Sequence, residues 1–155
     1  MDHLQKINHE LRRYRDYDNT KRIRLFLLKN DVTDLSRFAA SLSISDLDVL
    51  STVAHYRDSR ISEIVDHLSL TQGAVSKIVN KLSGLRLIEK YHQPNNKKDT
   101  YLKVTTVGDR VHTLHAEYHK EMDQQLCDFS KHFTDEQLVL VGNFLSSVNH
   151  IREGT

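Results

Sequence analysis

The sequence predicts a mainly α-helical protein with a small β wing: a winged helix-turn-helix with N- and C-terminal helices forming a dimerisation region. Three observations predict it. Residues 61–82 carry two helical patterns joined by a tight turn. Two short β-prone runs with a basic turn follow directly. Amphipathic helical stretches lie on both sides of this block. One proline, five glycines and 28% charged residues agree with a largely helical chain.

Residues 3–29 read as one long polar helix. Leu4, Ile7, Leu11 and Tyr14 step by three and four, and the phase returns at Leu25 and Leu28, with Asp18 and Lys21 between. So narrow an apolar face needs another helix against it. Asn30 and Asp31 end it. Residues 33–42 predict a shorter helix through Leu35, Phe38, Ala39 and Leu42. Ser45, with Asp46 and Asp48, is expected to start the next, placing acids at the positive helix end. Leu47, Leu50, Val53 and Ala54 form its core side. Residues 56–60 are a polar connection expected to enter a very short strand before Ser62.

The central block follows. Ile64, Val65 and Leu68 mark a short helix, and Ser69-Leu70 the turn. Thr71 is the expected N-cap of the second helix, its hydroxyl accepting from a free first-turn amide. Val75, Ile78, Val79 and Leu82 then fall on one face, and Gln72, Ser76, Lys77 and Asn80 on the other. That is the pattern of a helix-turn-helix, or of an ordinary helical hairpin with a solvated face. The continuation favours the first. Residues 87–92 predict a strand, 94–100 a polar turn with two lysines, and 101–105 the returning strand, which makes a wing.

The C-terminal part is helical. Over residues 105–133, Val107, Val111, Leu114, Tyr118, Met122, Leu126, Phe129 and Phe133 keep a near-heptad spacing. Thr134 and Gln137 form a capping box for the last helix, with Phe133 and Leu138 as its hydrophobic staple. Leu138, Val141, Leu145 and Val148 follow, and Gly154 lies beyond its end. The unmatched stripes of the end helices most simply bury against a second copy in a two-fold dimer. The expected division is therefore residues 1–42 and 106–155 for dimerisation, and 43–105 for the winged helix-turn-helix.

Charge and composition narrow the function. The net charge is +1, but residues 71–104 hold seven Lys and Arg against Glu89 and Asp99, a net of +5, which leaves −4 elsewhere. A local basic field on a near-neutral chain fits a polyanion. One cysteine excludes an internal disulfide framework. No run approaches a membrane span and the N-terminus is too polar for a signal peptide, so the expectation is a cytoplasmic protein without a membrane partner. No phosphate loop, G-x-S-x-G or H-E-x-x-H occurs, so no enzyme is expected.

The order of elements, most specifically Ile44 to Gly108, resembles the MarR family of bacterial transcription regulators. Ile44-Ser45 followed by Leu47, Val49 and Leu50 is similar to the family's entry helix. Ile61-Ser62-Glu63-Ile64 resembles the opening of the motif, and Thr71 to Lys77 its recognition-helix start. The family's wing pattern is similar to Asn96, Lys98, Leu102, Val104 and Thr105, with Asn for Asp and Lys for Arg. Lys lacks the planar fork of Arg. Arg86 stands where the family usually has glycine after the recognition helix; either the backbone there is left-handed, which costs a non-glycine residue roughly 1 kcal/mol, or Gly84 nearby shifts the helix end instead.

The resemblance implies double-stranded DNA as partner, a homodimer and a small-molecule effector, with no required cofactor. The second helix would lie in the major groove, with Gln72, Gly73, Ser76 and Lys77 toward base edges. Thr71, Asn80, Lys81, Asn95, Asn96, Lys97 and Lys98 would meet phosphates. The expected function is a ligand-responsive repressor reading a pseudo-palindromic operator. The alternatives are a zinc-responsive version of it, or a winged-helix interaction module without DNA.

Two smaller constellations stand apart. His112, His115 and His119 fall within about 60° on the long helix, and Asp123 continues the stripe. Imidazoles at that spacing suit zinc, or form a solvated flank beside the dimer seam. Cys127 is either an oxidation sensor, which needs a basic neighbour such as Lys131, or a half-buried structural thiol. Tyr14, Tyr17, Tyr56 and Tyr118 are either pocket-lining residues or core or interface residues.

Overall fold

The computed structural model describes residues 2–30 and 41–154. Among them are seven helices and a three-stranded antiparallel sheet. In order these are α1 (His3–Asp16), α2 (Asn19–Lys29), α3 (Ile44–His55), β1 (Ser59–Arg60), α4 (Ile61–Asp66), α5 (Gln72–Gly84), β2 (Ile88–Gln93), β3 (Asn96–Val104), α6 (Thr106–Ser130) and α7 (Asp135–Glu153). The chain divides into two compact units, residues 1–116 and 117–155.

In the first unit the expected single N-terminal helix is two. Asp18 stops the run: its carboxylate accepts the Lys21 N–H at 3.1 Å and caps a new helix. The helix expected over residues 33–42 lies outside the described residues except at its end, where Leu42 is buried. The cap of α3 is Ser43, not Ser45. Ser43 Oγ accepts the Asp46 N–H at 3.2 Å, and the Asp46 carboxylate accepts the Ser43 N–H at 2.7 Å, which closes a capping box.

The sheet order is β1-β3-β2, with Ser59 opposite Leu102 and Ile88 opposite Val104. The hairpin turn is shorter than expected. Gln93 pairs with Asn96, so only Pro94 and Asn95 turn, and residues 96–100 belong to β3. The buried apolar side chains of this unit include Ile23 and Leu27 of α2, Leu47, Val49, Leu50 and Val53 of α3, Ile64 of α4, Val75, Val79 and Leu82 of α5, Ile88 of β2, Leu102 of β3, and Val111 and Leu114 of α6.

In the second unit, Thr134 and Gln137 form the expected capping box of α7, and Gly154 ends it with φ 72. No residue of α7 is buried. Leu126 and Phe129 of α6, with Leu140 and Ile151 of α7, are more than half exposed. Among the described residues no helix is long and apolar enough to cross a membrane.

Candidate nucleic-acid interface

The site begins with the way α5 is seated. Thr71 caps it, its hydroxyl accepting the Ala74 N–H at 3.3 Å. Val75, Val79 and Leu82 are fully buried, which fixes the rotation of the helix. The opposite edge then faces outward: Gln72, Gly73, Lys77 and Asn80 are exposed and Ser76 is half-buried. A Cβ on Gly73 would meet nothing within 4 Å, so internal packing does not demand glycine there.

Lys81 and Asn80, both expected at phosphates, have internal partners. Lys81 Nζ donates to the Ser41 carbonyl at 2.6 Å and to the Asp46 carboxylate at 2.5 Å. Asp46 is only 2% exposed, so this ammonium compensates a buried charge. Asn80 accepts from Lys90 of β2 through its side-chain oxygen. The sequence did not single out Lys90 as a site residue, because nothing local links it to α5.

The wing presents Asn95, Lys97 and Lys98, all exposed. Asn96 instead organises the turn. Its amide nitrogen donates to the Asp99 carboxylate at 2.8 Å and to the Tyr101 hydroxyl at 3.3 Å. Its oxygen accepts the N–H groups of Lys98 at 3.2 Å and Asp99 at 3.1 Å. Arg60 of β1 reaches Asp99 at 3.4 Å and Glu63 at 2.9 Å. The Asn96 hydrogen bond, then the Arg60 guanidinium, hold the Asp99 carboxyl below its ordinary value. Arg60 likewise lowers Glu63.

The corner between α5 and β2 aims the wing. Gly84 stays in the helix and Arg86 takes the left-handed conformation, φ 60. The Arg86 N–H donates to the Ser83 carbonyl at 3.0 Å and the Leu87 N–H to the Leu82 carbonyl at 2.9 Å. The Thr105 hydroxyl donates to the Arg86 carbonyl at 2.7 Å and accepts the Gly108 N–H at 3.0 Å. A Cβ on Gly108 would lie 1.9 Å from the Leu87 carbonyl oxygen, so glycine is required where α6 starts against this corner.

A family model described as a winged helix DNA-binding domain matches residues 42–108. Residues 42–108 form a winged-helix domain. The winged-helix chain is 29% identical over 113 residues to YhjH, an uncharacterized HTH-type transcriptional regulator of Bacillus subtilis (strain 168). That match covers 73% of this chain and 63% of YhjH, less than two thirds of the relative's length. Among solved structures, it is similar to Streptococcus pneumoniae FabT in complex with DNA, with TM-score 0.67, 20% identity, and 97% and 98% of the two chains covered. It is also similar to Lactococcus lactis ZitR in complex with DNA, with TM-score 0.66, 19% identity, and 97% of each chain covered. ZitR is described as a zinc-responsive MarR family member. At these identities the two structures establish the fold. The matched class is one of DNA-binding regulators rather than enzymes.

The remaining sequence candidates belong to elements other than α5 and the wing. His112 and His115 turn toward α3, each with Nδ1 3.2 Å from Ser51 Oγ. His115 is buried, while His119 and Asp123 are exposed. Among the described residues no three His, Cys, Asp or Glu side chains are grouped to hold a metal ion. Helical rise explains this: seven residues separate His112 from His119 by about 10 Å along the axis, too far for one ion without ligands from another element. Cys127 is exposed rather than half-buried, and Lys131 pairs with Asp128 at 2.7 Å. Tyr14 and Tyr17 are exposed, Tyr56 stacks on His67 at 3.8 Å, and Tyr118 is buried.

Proposed function

We propose that this chain is a dimeric, sequence-specific transcriptional regulator, acting as an effector-responsive repressor. Residues 43–105 serve as the DNA-binding part, and residues 1–42 and 106–155 as the dimerisation part. The observation that carries the reading is the seating of α5. Val75, Val79 and Leu82 of its apolar face are fully buried, and its capped N-terminal end presents Gln72, Gly73 and Lys77 outward.

In the major groove, Gln72 matches adenine N6/N7 and Lys77 matches guanine O6/N7. Gly73 allows the helix backbone to approach. Lys97 and Lys98 of the wing neutralise phosphates or enter the minor groove, which sets register and affinity. The exposed side chains of α7 and of the distal part of α6 supply an apolar surface for a second copy. An open cleft of about 440 Å³, lined by Ser45, Asp48, Ser51 and Thr52 of α3 and by residues 67–70, adjoins the turn before α5 and offers an effector room.

Selection of bound duplexes from a random pool tests the reading. A near-palindrome with half-sites about 10 bp apart, or a multiple, is expected. Its affinity should fall steeply with salt. No enriched sequence, or salt-insensitive binding, contradicts it. Repeating the selection with zinc, with oxidant and with a panel of phenolic and acyl compounds tests the effector and the zinc-responsive alternative together.

A further inference from the structure

The β2–β3 hairpin is tied to the lobe by side chains as well as by its ladder. Tyr91 of β2 donates its hydroxyl to the Asp58 carboxylate at 2.5 Å, across 33 residues. Asp58 lies in the turn between α3 and β1 with φ 58; with Arg86 it is one of two non-glycine residues with positive φ among the described ones. Asp tolerates that conformation better than most residues, yet it persists only where surrounding contacts hold it. The Asp58 hydrogen bond is also the first cause that pushes the Tyr91 phenol up to about 12. The phenol therefore remains a donor throughout neutral pH.

The position of this contact matters as much as its chemistry. Tyr91 opposite Tyr101 is the last regular pair before the register becomes irregular between Tyr91 and Gln93. Beyond it the wing tip carries Lys97 and Lys98. A two-stranded hairpin is marginal without support, and β1 offers the sheet only two residues. Side-chain ties at the joint therefore decide how narrowly the tip is aimed.

We infer that Asp58 and Tyr91 form a latch that sets the reach of the wing onto DNA flanking the half-site, both acting as positioning residues that touch no DNA themselves. The inference rests on the DNA-binding reading above. With the latch open, the tip samples more orientations, and ordering it on DNA costs affinity only where the wing makes contact.

Affinity for two duplexes tests this: the selected operator with its flanks, and the same operator trimmed of the base pairs outside the recognition-helix contacts. Tyr91→Phe removes one hydroxyl and keeps the ring. On the full operator its Kd should rise about five-fold, with a salt slope shallower by about one ion. On the trimmed operator it should match the wild type. Asp58→Gly relieves the backbone but removes the acceptor, so it should reproduce Tyr91→Phe, and the double variant should be no worse than either. Asp58→Asn keeps an acceptor and tolerates the left-handed backbone, so it should bind like wild type. Equal loss on both duplexes, no loss on either, or additive losses in the double variant overturn the latch. A wild-type chain that binds no duplex sinks the DNA reading itself. A wild-type chain that binds while Tyr91→Phe is unchanged sinks only the latch.

Discussion

Arg86 shows how one residue carries a cost that its neighbours impose. The paired reverse hydrogen bonds at the end of α5 require a left-handed residue just past the helix, and that position is Arg86 with φ 60. Gly84, two residues earlier, does not relieve it, because it remains helical. Arg86→Gly removes the Cβ penalty, partly offset by the greater freedom of glycine in the unfolded chain. The expected gain is about 0.5–1 kcal/mol, read as a higher midpoint in thermal or urea unfolding. A lower midpoint would show that the arginine side chain stabilises the corner by more than its backbone costs. Lys81 illustrates the opposite lesson. Its charge suits a phosphate in sequence, but its ammonium is held by the buried Asp46 and the Ser41 carbonyl.

Among the elements, α5 was the most legible in sequence. Thr71 announces its start, and Val75, Val79 and Leu82 share one face by spacing alone, so its buried and exposed sides follow from local pattern. The break between α1 and α2 was not legible, since Asp18 reads equally as a solvated helix residue or as a cap. The wing was misjudged in length because residues 96–100 are polar, and a strand at the sheet's exposed end lacks apolar alternation. Its bracing was invisible, as Arg60 and Asp99 stand 39 residues apart.

That bracing has a pH dependence of known sign. Asp99 and Glu63 have folded values below their ordinary 3.8 and 4.5, for the causes given above. Groups with depressed folded values contribute stability above the unfolded value and lose it as pH falls through the folded one. Amide exchange in β3 should therefore be slow and pH-corrected rates constant from neutrality down to about pH 5, and protection should drop below pH 4. In an Arg60→Met variant that acid-side drop should shrink. Protection that falls already near pH 6 would assign the wing's stability to histidine instead.

At the scale of the whole molecule, the apolar surface left exposed is the organising fact. Val111, Leu114 and Tyr118 of α6 are buried, but Leu126 and Phe129 further along it are exposed, and α7 buries nothing. The proposed second copy accounts for this division. Sedimentation of the wild type should give a dimer at micromolar concentration, and a Leu126→Glu, Phe129→Glu double variant should give a monomer. That variant should also lose most operator affinity, because each half-site is then bound alone. A wild-type monomer at those concentrations would remove the two-fold arrangement and with it the palindromic operator.

The central claim is that the outward edge of α5 reads base sequence. The direct measurement is the affinity of Lys77→Ala, against wild type, for the selected operator and for random duplex at one fixed salt concentration. The account predicts a loss of about 1–3 kcal/mol on the operator, a relaxed preference at one base pair of each half-site, and little change on random duplex. An equal loss on both duplexes would mean that Lys77 meets only phosphate, and that the reading edge of this helix has been misplaced.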